Sequence, residues 1–355
     1  MLSRYARTGA SSRLRFFQYL PYCAAAGLDV TVAPLLGDDY LRQLYSGGKV
    51  SGLMVARYYW ARIAGLFRSS GYDLIWMEKE LLPYMPAWLE RLLMGSRARY
   101  IVDYDDAVFH NYDMHRIFLV RWLLGRKIDS VMKHAALVTA GNAYLAERAV
   151  RAGAGWVEYL PTVIDLDRYP VRDRRSGGDG KVVIGWIGSP ATVAYLNSVA
   201  GALAAVCRDM NARVVVIGVK DAVLPGVPVQ CRDWSEETEA SEIAGIDIGI
   251  MPLPDAPWER GKCGYKLIQY MASGKPVVAS PVGHNREIVR HGENGFLAET
   301  EGDWQKYLRM LVGDAEKRSE MGRHGRRVVE EKYCIQKTAP ALVAWLKDIT
   351  ESQHH

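Results

Sequence analysis

The chain has 355 residues, 49% of them hydrophobic and 24% charged, and its formal net charge is +5. This length exceeds what one core usually serves, so we expect two domains, each able to bury a core. Five cysteines without paired spacing fit neither a disulfide framework nor a zinc site, and they indicate a reducing cytoplasm. No uninterrupted apolar run is long enough to span a bilayer.

Short β-rich runs alternate with longer helical patterns in the first half of the chain. Only residues 1–5 are available for an opening strand, which we expect to be short or incomplete, and a Gly-Ser loop and a helix follow. The next predicted strands are DVTVAPL, YDLIWME, RYIVDYDD and ALVTAGN. Such alternation indicates a parallel sheet covered by helices. We place the end of this N-terminal domain at residue 170, before a charged Gly-rich linker.

The second half repeats the pattern over residues 171–335, which we predict to be a second domain. Its predicted strands include KVVIGWIG, ARVVVIGV, DIGIMPLP and PVVA, and helices are expected between them. Residues 336–355 form a further helix with one apolar face to bury. The fold class is therefore α/β, with two Rossmann-like domains.

Three strand ends of the second half carry groups that suit a diphosphate. In open α/β sheets, ligands bind beyond the carboxyl ends of strands. Backbone N–H groups at a helix N-terminus attract anions, and Lys262 and Lys266 add positive charge. The strand ends are followed by a turn at 188–192, a loop at 253–264 and a turn at 281–285. Their convergence predicts one diphosphate-binding crevice, although an ordinary turn at 188–192 and solvated surface lysines are the competing interpretations.

The stretch GKCGYKLIQYMASGKPVVASPVGHNREIVRHGENGFL, with DIGIMPLPD before it, resembles glycosyltransferase family 4, which contains retaining enzymes of the GT-B type. The resemblance implies two Rossmann-like domains whose parallel sheets face each other across a cleft, and a final helix that returns to the first domain. It also implies a sugar transferase that uses a nucleotide-diphosphate donor and needs no metal or other cofactor. The implied product is a surface polysaccharide or a glycolipid.

The resemblance makes residues 1–170 an acceptor-binding domain and residues 171–335 a nucleotide-sugar-binding domain. Together with the strand ends described above, it gives individual residues expected roles. Lys266 is expected to stabilise the departing diphosphate, as a catalytic group. The expected donor-binding residues are Gly188, Ser189, Thr192, Arg260, Lys262, Gly264, Tyr265, Gln269 and Gly283. Many members of the family have two glutamates eight positions apart, where this chain has Gly261 and Gln269. Gln269 can still bind a ribose as a neutral partner, and Glu259 is a weak substitute for the first glutamate. The basic pair that many members carry near Gly188 is also absent.

The acceptor side depends on two segments of the first half. In RYIVDYDDAVFHNYDMH, Asp106 and His110 are expected to face the cleft and to position an acceptor hydroxyl, as catalytic groups. A divalent metal held by these aspartates and a nearby histidine is a less favoured alternative, and plain capping of a strand end is another. The opening loop is expected to contact the acceptor through Gly9, Ser11, Ser12 and Arg13.

Positive charge is concentrated in the first half, where residues 1–170 contain 21 Lys and Arg against 16 Asp and Glu. Two basic, aromatic stretches, RYYWARIAGLFR and MHRIFLVRWLLGRKIDSVMK, suit the surface of an anionic membrane on the cytoplasmic side. The alternative is that Trp60, Phe118 and Trp122 face the core. No nucleic-acid-binding motif is recognised.

The expected activity is transfer of a sugar from a nucleotide sugar to a glycan or a lipid-linked acceptor. Because Gly261 and Gln269 replace the customary carboxylates, a non-catalytic nucleotide-sugar-binding partner protein is the alternative. A GT-B epimerase acting on the nucleotide sugar itself is a third.

Overall fold

The computed structural model describes residues 1–45, 50–67, 71–95, 98–170 and 180–351. The chain divides into two compact units. Unit 1 contains Met1–Thr162, Gly261–Cys263 and the residues from Thr338 onward, and unit 2 contains Val163–Arg260 and Gly264–Lys337. The linker predicted after residue 170 lies outside the described residues.

Unit 1 is built on a four-stranded parallel sheet in the order β1-β2-β3-β4. Its first three strands are buried along their whole length, which explains their near-continuous apolar sequences. The strands are β1 (Ile75–Glu78), β2 (Tyr100–Tyr104), β3 (Leu137–Ala140) and β4 (Val157–Tyr159). The helices are α1 (Ala10–Arg15), α2 (Leu20–Ala25), α3 (Asp38–Tyr45), α4 (Gly52–Leu66), α5 (Ala87–Met94), α6 (His110–Asp113), α7 (Phe118–Leu124), α8 (Lys127–Lys133) and α9 (Ala143–Ala152).

The strand predicted at DVTVAPL is wrong. The N–H groups of Ala33 and Leu35 donate to the carbonyls of Met1 and Ser3, and an isolated bridge, Tyr5 to Leu36, lies one residue beyond the segment. The N–H groups of both Leu35 and Leu36 donate to the opening segment, which interrupts the alternation of a regular ladder, and Pro34 has no N–H to donate. Residues 1–5 are likewise extended without forming a full strand, as predicted.

Unit 2 contains a six-stranded parallel sheet in the order β10-β9-β8-β5-β6-β7, with a buried apolar cluster on each face. The strands are β5 (Val182–Ile187), β6 (Ala212–Ile217), β7 (Val229–Arg232), β8 (Ile248–Met251), β9 (Val277–Ala279) and β10 (Gly295–Leu297). The helices are α10 (Ala200–Asp209), α11 (Glu239–Ala244), α12 (Pro257–Arg260), α13 (Tyr265–Ala272), α14 (Asn285–Ile288), α15 (Glu301–Gly313) and α16 (Ala315–Lys332). The last helix, α17 (Ile335–Glu351), begins in unit 2, and its residues from Thr338 onward belong to unit 1.

The prediction of an α/β fold with two parallel sheets is confirmed. One local detail differs, because β5 is not followed directly by an α-helix. A 3-10 helix, Val193–Val199, intervenes before α10 begins at Ala200.

Within the described ranges, no helix combines the length and the apolar character needed to cross a membrane.

Candidate active site

The carboxyl edge of the unit 2 sheet brings three loops together. Strands β9, β8 and β5 are neighbours and run parallel, so the segments that follow them lie at the same edge. Ser280 links two of these segments, because its hydroxyl accepts from the N–H of Leu253 at 3.0 Å and its carbonyl accepts from the Asn285 side chain at 3.0 Å. The loop after β8 is therefore fixed to the turn after β9.

Gly188 follows β5 at a point where no side chain fits. Its N–H donates to the carbonyl of Ile217 at 3.0 Å. A Cβ at this position would lie 2.3 Å from the Trp186 ring and 3.0 Å from Cε of Lys266. The missing side chain thus lets the Lys266 stem and the Trp186 ring pack against the backbone of the turn.

Lys266 lies in the first turn of α13, directly above a buried aromatic ring. The Nζ atom is 5.1 Å from the centre of the Trp186 ring, and Trp186 is buried. The helix begins after Gly264, which has the left-handed φ of 68° that glycine favours. The start of α13 therefore combines the positive end of a helix dipole with a full positive charge held over an aromatic face.

The other predicted groups of the β8 loop are already engaged with protein partners. Arg260 forms an exposed ion pair with Asp255, at 2.7 Å. The Glu259 carboxylate is buried and accepts from the Tyr195 hydroxyl at 2.5 Å. Gly283, with φ of 50°, packs on the backbone of Arg260, where a Cβ would lie 2.6 Å from the carbonyl oxygen.

Ser189 and Thr192 close the turn after Gly188, since the Thr192 N–H and hydroxyl both donate to the Ser189 carbonyl, at 3.0 and 3.2 Å. Both residues are half-buried, as is Tyr265 at the start of α13. The turn is therefore held by its own hydrogen bonds and leads into a 3-10 helix, not into the α-helix that the sequence predicts.

Gln269 lies in a buried chain of hydrogen bonds that the sequence does not predict. Its Nε2 donates to the Tyr169 hydroxyl at 3.1 Å, and that hydroxyl donates to Glu239 at 2.6 Å. The Glu239 carboxylate also accepts from the Trp234 indole at 2.7 Å. Burial and the Glu239 charge raise the pKa of Tyr169 well above its usual value, so this hydroxyl remains a donor. No local motif marks these residues, because they are 30 to 100 positions apart from Gln269.

The opening loop of unit 1 meets the ends of β1 and β2 through hydroxyl groups. Gly9 caps α1, and a Cβ there would lie 2.4 Å from the side chain of Tyr5. The Ser11 hydroxyl lies 3.0 Å from Glu78 and 2.5 Å from Asp105, and Ser12 donates to Glu78 at 2.6 Å. Together with the buried Arg13, the predicted acceptor loop is therefore built into the edge of the sheet.

Lys79 occupies a strained position at the end of β1. Its φ is 62°, which is uncommon for a residue other than glycine, and its side chain is buried. The ammonium lies 2.8 Å from Asp105 and 3.2 Å from the Ser11 hydroxyl. Burial alone would lower the pKa of Lys79, but Asp105 and Glu78 outweigh it and raise that pKa. The strained backbone thus places a fixed positive charge among the acceptor-loop hydroxyls.

A second buried ion pair lies beneath this loop. Arg15 of α1 binds Asp103 through Nε at 2.8 Å and Nη2 at 2.5 Å, and both side chains are buried. The Thr139 hydroxyl donates to the same carboxylate at 2.6 Å. Burial would lower the pKa of Arg15, but the Asp103 charge dominates and raises it. This pair fixes α1, and hence the serine hydroxyls, on the sheet.

The predicted acceptor residues Asp106 and His110 are both present in unit 1, each with partners of its own. The Asp106 carboxylate is 3.8 Å from Nζ of Lys262. His110 contacts Asp113 through Nδ1 at 2.8 Å and the Tyr144 hydroxyl through Nε2 at 2.9 Å. Lys262 therefore neutralises Asp106, and Asp113 orients the His110 ring.

The aspartates considered as metal ligands are each held by a cation. Asp103 binds Arg15, Asp105 binds Lys79, and Asp106 lies beside Lys262. Among the residues that the structure describes, no group of three His, Cys, Asp or Glu side chains is arranged to hold a metal ion.

Gly261 stands where many members of family 4 have a glutamate, and contacts within unit 1 leave no room for a side chain there. A Cβ on Gly261 would lie 2.5 Å from Cβ of Ala107 and 2.7 Å from its backbone nitrogen. The Asn142 side chain, which also caps α9, donates to the Gly261 carbonyl at 2.9 Å. A glutamate at this position would require the backbone to move.

The sequence was compared with those of known protein families. Residues 181–314 match the family described as Glycosyl transferases group 1. The matched residues make up less than half of the chain. The resemblance predicted from the sequence is thus confirmed for the half that contains Lys266 and Gly188.

A curated relative and two solved structures extend the comparison. The GDP-Man:Man(3)GlcNAc(2)-PP-Dol alpha-1,2-mannosyltransferase of Dictyostelium discoideum is 27% identical over 132 residues, 34% of this chain and 26% of that protein. The sucrose-phosphate synthase of Thermosynechococcus elongatus superposes with a TM-score of 0.71 at 14% identity, covering 99% of this chain and 96% of the other. HepE of Anabaena, solved with UDP and glucose, gives 0.67 at 14% identity and 98% coverage of both chains.

The structural matches and the curated relatives support different statements about the chain. At such low identities the structural matches show the fold, which is that of the GT-B glycosyltransferases. The chain spans about a quarter or less of the length of the curated relatives that it matches. The sequence similarity to the family thus covers residues 181–314, and the structural similarity concerns the fold alone.

Proposed function

We propose that this chain is a retaining glycosyltransferase that moves a sugar from a nucleotide-diphosphate donor to a glycan or a lipid-linked acceptor. The observation that supports this most is the packing of Gly188, Trp186 and Lys266 at the carboxyl edge of a group 1 glycosyl transferase domain. HepE, which shares the fold, was solved with UDP and glucose. A nucleotide sugar is accordingly the proposed donor.

The chemistry requires the enzyme to stabilise a leaving diphosphate. As the bond between the sugar and the phosphate breaks, negative charge accumulates on the phosphate oxygens. Lys266 and the first N–H groups of α13 are preorganised donors for that charge, so they stabilise the transition state more than the bound donor. In the retaining mechanism, the acceptor hydroxyl attacks from the face that the diphosphate leaves, and the departing phosphate accepts its proton.

A binding protein without activity is the alternative, and the Gly261 contact with Ala107 is the observation that favours it, because a carboxylate has no room there. The test incubates the full chain with a panel of nucleotide sugars, with and without EDTA, and measures the free nucleoside diphosphate. Slow hydrolysis that EDTA does not change supports a transferase, binding without turnover supports the binding protein, and a changed sugar supports an epimerase.

The Gly188→Ala variant tests the donor site locally. Its Cβ would lie 2.3 Å from the Trp186 ring, so the ring and the Lys266 stem must shift. We expect donor affinity to fall by about tenfold or more, since this displaces a charge-assisted contact. Titration of UDP-sugar and GDP-sugar donors by calorimetry measures the change. The matched control is Gly302→Ala, where a Cβ makes only ordinary contact, 3.7 Å from Thr300, and equal losses in both variants would contradict the assignment.

The His110→Ala variant tests the acceptor side. If the His110 imidazole positions or deprotonates an acceptor hydroxyl, its removal lowers transfer by about 10²-fold or more and leaves donor binding unchanged. Transfer rates and donor affinities are measured on the same preparation. The control is Tyr144→Phe, which removes one hydrogen bond of the ring and keeps the imidazole. Equal losses of donor binding and transfer in His110→Ala would contradict an acceptor role.

We also propose that unit 1 contacts an anionic membrane, at the inner face of the plasma membrane. The three aromatic side chains that the sequence leaves between core and surface are exposed, with Trp60 at 72%, Phe118 at 69% and Trp122 at 70%. Residues 114–126 contain three exposed arginines and no acidic residue. Exposed aromatic groups beside arginines suit the headgroup region of anionic lipids.

The membrane proposal predicts binding to anionic liposomes at low salt, and loss of that binding at high salt. Replacing both Phe118 and Trp122 with serine should lower the bound fraction about tenfold or more, because two apolar groups no longer insert. Flotation of the protein with liposomes measures this. Val223→Ser, at an exposed apolar position of unit 2, is the control, and a native chain that does not float at low salt would overturn the proposal.

A further inference from the structure

A cavity of about 330 Å³ lies in unit 1 at the amino end of β1, the opposite end from Glu78 and Lys79. Its wall is formed by the opening residues, the segment before α3, helix α4 and the residues that lead into β1. The lining includes Leu2, Ala61, Arg62, Gly65, Leu66 and Ile75. The volume lies in the range of small-molecule sites, and most of the wall is aliphatic.

Arg62 is the charged side chain of this lining, and it is 6% exposed. Its Nη2 donates to the carbonyl groups of Ser3 at 2.7 Å and Ala33 at 3.0 Å. In the described part of the chain, no carboxylate lies within ion-pair distance of Arg62, and its Nε and Nη1 donate no hydrogen bond. Burial lowers the pKa of Arg62 to about 10, so the side chain remains a cation at neutral pH.

Other buried cations of unit 1 show what Arg62 lacks. Arg15 is paired with Asp103 at 2.5 Å, Lys79 with Asp105 at 2.8 Å, and Lys127 with Glu80 at 2.6 Å. A buried charge without a counter-ion is costly, and the two carbonyl groups replace only part of the hydration that the Arg62 guanidinium loses. A bound anion would supply the missing counter-ion, and the adjoining cavity has room for the rest of such a molecule.

We propose that this cavity binds a monocarboxylate with an unbranched hydrocarbon chain, whose carboxylate pairs with Arg62 and whose chain lies along the aliphatic wall. One guanidinium balances one negative charge. The site is separate from sugar transfer, because it lies at the other end of the sheet from the acceptor loop.

Calorimetric titration of the full chain with decanoate tests the proposal. We expect saturable binding of one decanoate, weaker binding of hexanoate because fewer methylene groups are buried, and no binding of decylammonium. Absence of saturable decanoate binding, or equal binding of decylammonium, would overturn the proposal. Because the readout is binding without any sugar donor, the result is independent of the transferase proposal.

Two variants locate the bound carboxylate. Arg62→Met should weaken decanoate binding by about tenfold or more, the effect of losing a charge-assisted hydrogen bond. It also removes two bonds to the backbone, so Gly65→Leu provides a second test that keeps Arg62. Gly65 lines the cavity and a Cβ there meets nothing within 4 Å, as at Gly52 in the same helix. Gly65→Leu should abolish binding and Gly52→Leu should not. Binding by Gly65→Leu at the native affinity would refute the assignment.

Discussion

The Lys266→Met variant is expected to lose about 10²- to 10³-fold in kcat, the effect of removing one preorganised donor for transition-state charge. Methionine keeps an apolar stem of similar length over Trp186, so the packing at Gly188 is largely preserved. If Lys266 binds the diphosphate more strongly as the bond breaks, kcat falls more than donor affinity. Release of nucleoside diphosphate under saturating donor measures this effect.

The control for this variant is Lys306→Met, which removes an exposed lysine of α15 in the same unit. Its turnover should equal that of the native chain. Unchanged turnover and donor affinity in Lys266→Met would remove Lys266 from the mechanism, whatever other activity the chain has.

Breaking the Arg15–Asp103 pair is expected to lower the free energy of unfolding by about 3–5 kcal/mol, because Asp103→Ala leaves the Arg15 cation buried without its partner. Replacing both residues, as Arg15→Met with Asp103→Leu, should recover much of this loss, since no unpaired charge remains. Urea unfolding followed by circular dichroism measures the change through the transition midpoint.

A surface pair provides the comparison. Arg208 is 71% exposed and contacts Asp209 at 2.9 Å, so Arg208→Met should change the free energy of unfolding by about 1 kcal/mol or less. An Asp103→Ala variant no less stable than Arg208→Met would show that the buried pair does not fix α1 on the sheet. The serine hydroxyls of the acceptor loop would then need another explanation for their position.

The strands and helices near the donor site were predictable because their signals are local. Strand β8 is a short apolar run that ends at a proline, and α13 follows a glycine and is apolar on its buried face. The end of β5 was likewise predictable, since the buried run stops at Gly188. These features depend on neighbours within a few positions, so the sequence alone carries them.

Other features of the site depend on contacts between distant residues. Gln269 meets Tyr169 across 100 positions, and Asp103 meets Arg15 across 88. The left-handed backbone of Lys79 has no signal in the sequence, because a lysine ordinarily avoids that conformation. Such pairings follow from tertiary packing, which overrides local preference.

The most direct test of the proposed donor site is a crystal structure of the full chain with a bound nucleoside diphosphate. We expect the diphosphate at the carboxyl edge of the unit 2 sheet, within hydrogen-bond distance of Lys266 Nζ and of backbone N–H groups after Gly188 or at the start of α13. A nucleotide bound elsewhere, with Lys266 still stacked on Trp186 and in contact with no phosphate, would contradict the account.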